Sequence, residues 1–333
     1  MLGRIWAVLT ARSLEFVRDR ASVGWNVFMP IVLVFGLSIV FSREDSDQFL
    51  VAVLEADTAT HAFLQTRYID FTPIEDRTNA IRMVGRHQLD MLIQTGTPLR
   101  YWVNPESPKG YVVERLLLQT DPSAIKESVA GEAVRYVDWL VPGVLGMNMM
   151  FSCLFGVGYV VVRYRKSGFL KRLRATPLSA FEFISAQALS RLILTVAITS
   201  FVFAAVSLTL DIKTEGSYLS LLMVAVLGGS ALIAYSLVVA ARATSEEFAG
   251  GLLNLMSWPM MMLSGVFYSL EGSPAWVQSF AKIYPLTHML TAARSIMIDG
   301  AGLIEIMPQL AILAVMTFVA LALGSLMFRW RFT

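Results

Sequence analysis

The chain has 333 residues, of which 56% are apolar and only 16% charged, with a formal net charge of +2. An average globular chain is about 25% charged, whereas here the charges cluster between apolar runs long enough to cross a ~30 Å hydrocarbon core as helices. That excludes an ordinary pair of soluble domains, and a single cysteine, Cys153, inside an apolar run excludes an intrachain disulfide.

Taken in order, residues 1–21 place Leu2, Ile5, Trp6, Leu9, Phe16 and Val17 at helical spacing, with Arg4, Arg12, Glu15, Arg18 and Asp19 on the opposite face. The pattern predicts an amphipathic interface helix, its arginines among headgroups or against a partner. Residues 22–41 form the first predicted span, in which Pro30 is tolerable inside a bundle. No A-x-A-like site follows, so the span reads as a retained anchor. Residues 42–138 are the long polar region. VAVLEAD and YIDFTPIED have strand character and NAIRMVGRHQLD has helical period, which predicts a small α/β domain. TGTPLRYWVNPESPKGY supplies turn chemistry for a hairpin, and Tyr111 to Val137 reads as a helix leading back to the membrane.

Residues 139–333 carry five further predicted spans, making six: 139–162, 192–210, 218–241, 248–270 and 302–328. The span at 192–210 follows a lead-in containing Glu182, Gln187 and Arg191. An arginine at the membrane centre costs ~2.5–3.5 kcal/mol, so Arg191 is expected to snorkel to the near interface. Residues 271–300 are neither a span nor a simple loop. Short helices or a re-entrant segment shielded by protein are expected there, on the outer side, because unpaired backbone cannot face lipid.

Lys and Arg near span ends set orientation, and long translocated loops do not count. One side holds the N-terminal arginines, the cluster from Arg163 to Arg174, and Arg242, Arg329 and Arg331; the other holds Lys213, Lys282 and Arg294. Both termini are therefore expected in the cytoplasm, and the 42–138 domain outside it.

Residues 163–183, RYRKSGFLKRLRATPLSAFEF, form a basic elbow between two spans. Its first twelve residues include six cations and no acid, suited to anionic headgroups. Thr176-Pro177-Leu178-Ser179 breaks the helix, with Ser179 placed to cap a new one near Ala180. On topology alone, positive-inside anchoring explains the elbow.

Three motifs add to that. Gly168-Phe169-Leu170-Lys171-Arg172-Leu173-Arg174-Ala175-Thr176-Pro177-Leu178-Ser179 follows the second span, Pro259 through Gly265-Val266-Phe267-Tyr268 closes the fifth, and Tyr284-Pro285-Leu286-Thr287 precedes Arg294. Their order and character resemble the permease subunit of ABC type-2 transporters, the exporter branch of the ATP-binding-cassette systems. Phe169 stands where that family carries Thr, and acids that often flank the glycine are absent. The resemblance implies that the elbow is a coupling helix docking in an ATPase groove, helped by the N-terminal helix. It also implies a complex of two ATP-binding subunits with two permeases, the second being another copy or a paralogue, in a lipid inner membrane. The second and fifth spans would line the pathway, with Met147, Met150, Phe151, Met261 and Phe267 as candidates. Packing filler is the blander account of the fifth-span methionines.

The chain has no Gly-x-x-x-x-Gly-Lys-Ser/Thr loop to cradle phosphates. ATP and Mg²⁺ are accordingly expected on the partner ATPase, with no cofactor and no enzymatic activity on this chain. His61, His87 and His288 show no ligand spacing, so no metal site is expected, and no nucleic-acid partner either. The outer domain could hand substrate to a periplasmic adaptor or form a lid; the residues leave both open, along with the substrate. The rival readings are a membrane-anchored sensor or assembly scaffold, and an ion-coupled secondary transporter, which would need intramembrane ionisable pairs or repeats.

Overall fold

The structure is a computed structural model that describes residues 2–40, 49–54, 61–74, 76–96, 98–131, 135–168, 180–243, 245–270 and 273–327. The chain divides into two compact units. One comprises Met1–Ile39 with Val137–Thr333, and the other Val40–Tyr136.

The smaller unit is an α/β layer built on a five-stranded sheet of order β2-β1-β3-β4-β5. Its strands are β1 Phe49–Leu54, β2 Ile69–Ile74, β3 Met91–Gln94, β4 Arg100–Val103 and β5 Ile125–Ser128. β1 pairs in parallel with β2 and β3, β4 runs antiparallel to β3, and β5 is parallel to β4. Alternation sorts the side chains by face. Val51, Met91, Ile93 and Tyr101 pack with Phe63 and Leu117 on one side, and Ala52, Leu54, Leu92 and Trp102 pack with Ala80 and Val84 on the other. The helices on those faces start on local caps. Asp76 accepts from the amides of Thr78 and Asn79 to begin α3, Arg77–Gly85, and Ser107 accepts from Gly110 N to begin α4, Pro108–Thr120, with proline in its first turn. The expected helix from Tyr111 to Val137 is corrected here: it ends at Thr120. Asp121 Oδ1 accepts from both the amide and the hydroxyl of Ser123, closing a turn around Pro122 from which β5 departs.

The larger unit opens with α1, Leu2–Arg18, and α2, Arg20–Val40. Next come α5, Tyr136–Cys153, a π-helical segment, Leu154–Tyr159, and α6, Val160–Lys166, as one continuous run. The rest is α7 Ala180–Leu210, α8 Tyr218–Arg242, α9 Glu246–Leu263, α10 Ala275–Ala281, α11 Pro285–Met297 and α12 Leu303–Met327. Residues 271–300 thus hold two short helices. Among the described residues, four helices are long and apolar enough to span a membrane: Tyr136–Lys166, Glu182–Leu210, Tyr218–Arg242 and Leu303–Met327. A fifth is reached if α1 and α2, bent by 63°, count as one broken span. The expected fifth span, 248–270, is instead the 18-residue α9, which stops at Leu263 because Gly265 turns the chain at φ +71°.

Close approaches at glycine organise this unit. A Cβ on Gly228 of α8 would lie 2.3 Å from Met289 Sδ, and one on Gly146 of α5 2.5 Å from Leu290 Cδ2. α11 therefore nests between α5 and α8 at separations only glycine permits.

Candidate functional site

The elbow is described up to Gly168 and again from Ala180. Phe169, Leu170, Lys171, Arg172, Leu173, Arg174, Thr176, Pro177, Leu178 and Ser179 lie outside the described residues. Gly168 terminates α6 in the left-handed region at φ +70°, after Ser167 N donates to Arg163 O at 2.9 Å. Glycine just past a helix end adopts that conformation without a Cβ penalty. The rings of Tyr164, before the elbow, and Phe183, after it, meet edge-on with centroids 6.1 Å apart. The two ends of the elbow are thus held together.

α1 and α9 hold those ends. Arg12 of α1 donates to Gln187 Oε1 at 2.5 Å and to the Tyr164 hydroxyl, and its guanidinium lies 4.7 Å from the centre of the Tyr164 ring. Ser13 and Ser190 share a hydroxyl hydrogen bond of 2.8 Å, and Arg4 faces the buried Glu182 at 3.9 Å. Part of the polar face of α1 is therefore spent on α7 and α6, while Trp6, Leu14 and Val17 are exposed. From the other side, Ser245 caps α9, and Glu246 and Glu247 occupy its first turn. Glu246 accepts from the Tyr159 hydroxyl at 3.0 Å, Glu247 pairs with Lys166 at 3.3 Å, and Arg165 donates to Ala243 O at 3.2 Å. Acids missing beside the glycine in sequence thus arrive from α9.

The other two motifs meet each other. Thr287 donates to Ala281 O at 2.7 Å and shares a hydroxyl hydrogen bond of 2.9 Å with Ser264, and His288 Nε2 lies 2.8 Å from Lys282 O. Arg294 donates to Gly265 O at 2.7 Å and Val266 O at 3.4 Å, and also to Trp139 O at 3.3 Å, while stacking 3.5 Å from the Trp139 ring centre. A Cβ on Gly143 would strike Val266 O at 2.3 Å. The turn after α9, the start of α5 and the helix α11 are therefore one junction, and an arginine fork supplies donors where the chain leaves the helical ladder.

The pathway candidates divide by burial. Met147, Met150 and Met261 lie in the core of the larger unit, Met150 with no exposure, whereas Phe151 and Phe267 are half-buried at its margin. Phe151 stacks on Phe155 at 6.2 Å. Among the described residues no group of three or more His, Cys, Asp or Glu side chains could hold a metal ion.

Sequence reasoning missed a polar seam through the helices. Pro30 has no N–H for the carbonyl of Asn26, four residues back. That carbonyl accepts instead from Asn148 Nδ2 of α5 at 3.2 Å, and Asn26 Oδ1 accepts from the Ser152 hydroxyl at 2.6 Å. Arg191 is lodged among the helices, donating to Ser152 O at 2.7 Å and Ser152 Oγ at 3.2 Å, under the Phe16 ring at 4.8 Å. The neighbouring π segment explains these partners: carbonyls beside a widened turn are open to outside donors, and Gln187 Nε2 likewise reaches Gly156 O at 3.2 Å. The signal available in sequence was the lead-in of Gln187 and Arg191, one helical turn apart.

Residues 3–298 match the family model described as ABC-2 type transporter. Among curated relatives, the chain is similar to the probable multidrug ABC transporter permease YbhR of Escherichia coli strain K12, at 24% identity over 196 residues, 58% of this chain and 53% of that protein. It is also similar to the inner membrane transport permease YhhJ of the same strain, at 27% over 184 residues, 55% and 49% of the two chains. ABC transporter G family member 20 of Dictyostelium discoideum is 26% identical over 170 residues, 51% of this chain and 23% of that one. The chain spans about half the length of the two bacterial relatives.

Proposed function

The chain belongs to the ABC-2 type transporter family, and from that premise we propose that it is the transmembrane permease subunit of an ABC exporter. The observation that carries the proposal is the match over residues 3–298, which takes in the elbow and both motifs of the outer junction. In this reading six segments cross the inner membrane, α2 and α9 completing the set, with both termini cytoplasmic and the 40–136 unit outside. Two permeases, either copies or paralogues, form the pathway. Two separate ATP-binding subunits supply hydrolysis, holding ATP and Mg²⁺ themselves.

Gly168, Phe169, Leu170, Lys171, Arg172, Leu173, Arg174, Thr176, Pro177, Leu178 and Ser179 form the docking surface. Leu170 and Leu173 fill an apolar groove on the ATPase, and the cations face an acidic rim. The pinning of the elbow's two ends by α1 and α9 supports this: a segment must be anchored if a push on it is to move helices. Met147, Met150, Phe151, Met261 and Phe267 lie along the pathway helices, and its cargo is apolar or amphipathic. The printed name of YbhR, a probable multidrug permease, agrees with such cargo.

The test is co-purification from its native membrane. An ATP-binding subunit should accompany the wild-type chain and be lost from a Leu170→Asp, Leu173→Asp double variant that still inserts. A transport-active complex holding no ATPase would refute the proposal.

A further inference from the structure

The seam around Arg191 is used by nothing described so far. Its guanidinium carries a charge, yet among the described residues it meets a carbonyl, a hydroxyl and an aromatic face rather than a carboxylate. Desolvating a cation without a counter-charge is costly unless its donors are well used. Here they are spent on the entry to the π segment, and the fit is tight: a Cβ on Gly156 would come within 2.0 Å of Arg191 Nε. Gln187, one turn earlier, accepts from Arg12 and donates to Gly156 O. One face of α7 thus grips the π turn at two carbonyls while holding α1.

A π turn carries one residue more than an α turn, and relaxing it to α geometry would rotate everything beyond by about 100°. What lies directly beyond is α6, whose Tyr159-adjacent start and Lys166 end are paired to Glu246 and Glu247 of α9, and then the elbow. We propose that Arg191 is a positioning residue for the elbow: gripping the chain at Ser152 O, at the entry to the π segment, it fixes the rotation of α6 and so the direction in which the elbow is presented. The functional meaning rests on the coupling role proposed above for the elbow; the geometric claim does not.

The experiment is paired-cysteine crosslinking of the full chain in native membrane vesicles, with no ATPase required. Lys166→Cys with Glu247→Cys, bridged by a short bis-maleimide, reports the rotation of α6. Ser264→Cys with Thr287→Cys, oxidised directly, reports the distant junction. Arg191→Met is expected to abolish the first crosslink and leave the second intact. Gly156→Ala, which keeps the arginine but fills its seat, is expected to do the same and serves if Arg191→Met fails to insert. Retention of the 166–247 crosslink in either inserted variant overturns the proposal, as does equal loss of both crosslinks, which marks general unfolding. Because the readout contains no nucleotide or ATPase, it stands or falls separately from the co-purification test.

Discussion

Pro30 and Asn148 allow a clean test of how the helices satisfy their backbone. Replacing Asn148 by Leu keeps the volume and removes the donor to Asn26 O, which Pro30 has left without a helical partner. An unsatisfied carbonyl away from water costs about 1–3 kcal/mol. Hydrogen bonds measured between membrane helices average about 0.6 kcal/mol and reach about 1.7. A loss near 1 kcal/mol is therefore expected for Asn148→Leu alone. In a Pro30→Ala background residue 30 regains an N–H, Asn26 O returns to the helical ladder, and the same substitution should cost a few tenths. The interaction energy from the double-mutant cycle should thus be about 0.5–1.5 kcal/mol. The assay is reversible unfolding of the purified chain in mixed micelles, following helical signal against denaturing detergent. An Asn148→Leu cost that is the same in both backgrounds would refute the reasoning.

Arg294→Gln removes a guanidinium that serves three carbonyls and stacks on Trp139; with charged hydrogen bonds at about 1.5–3 kcal/mol each, stability should fall by at least about 2 kcal/mol in the same assay. Gly143→Ala should destabilise by about 1–3 kcal/mol through overpacking against Val266 O, whereas Gly251→Ala, with nothing within 4 Å of its Cβ, should be neutral or stabilising by up to about 1 kcal/mol. In the smaller unit, burial pushes the Asp90 carboxyl above the usual carboxylate range, against the Leu50 N–H that it accepts at 2.8 Å. The folded state therefore holds its proton more tightly than the unfolded state. Stability of the β1–β3 pairing should be greatest at pH values below the unfolded carboxylate pKa and decline as pH rises through the raised value. Amide exchange of β1 should show that decline, and Asp90→Asn should flatten it.

What the sequence discloses follows from how local each cause is. The strand in VAVLEAD is legible because a short β-branched apolar run is a local property, and Val51 to Leu54 form the buried end of β1. The turn after Asp121 has equally local causes in Pro122 and Ser123, but the periodicity of Tyr111 to Leu118 masks them. The junction at Arg294 could be anticipated only as three separate motifs, because Arg294 is 29 positions along the chain from the Gly265 carbonyl it serves. The grip on the π segment was illegible for a different reason. Nothing in Leu154–Tyr159 departs from an ordinary apolar helix, and its widened turn is seen only together with Arg191 and Gln187 from another helix. Apolar content also carried the fifth predicted span on to Leu270, whereas α9 stops at Leu263 ahead of the turn at Gly265.

The continuous run Tyr136–Lys166 has 31 residues, about 46 Å at 1.5 Å per residue. A bilayer's hydrocarbon is ~30 Å thick, and concealing the whole rod within it would take a tilt of about 50°, beyond the 0–40° that spanning helices adopt. At an average tilt of about 20° some 21 residues suffice, and about ten must stand outside the lipid tails. Arg163, Arg165 and Lys166 lie at the end of that surplus. The bilayer thickness consequently sets how far Lys166 stands off from the lipid surface, and thinner or thicker membranes should change that reach without altering a residue.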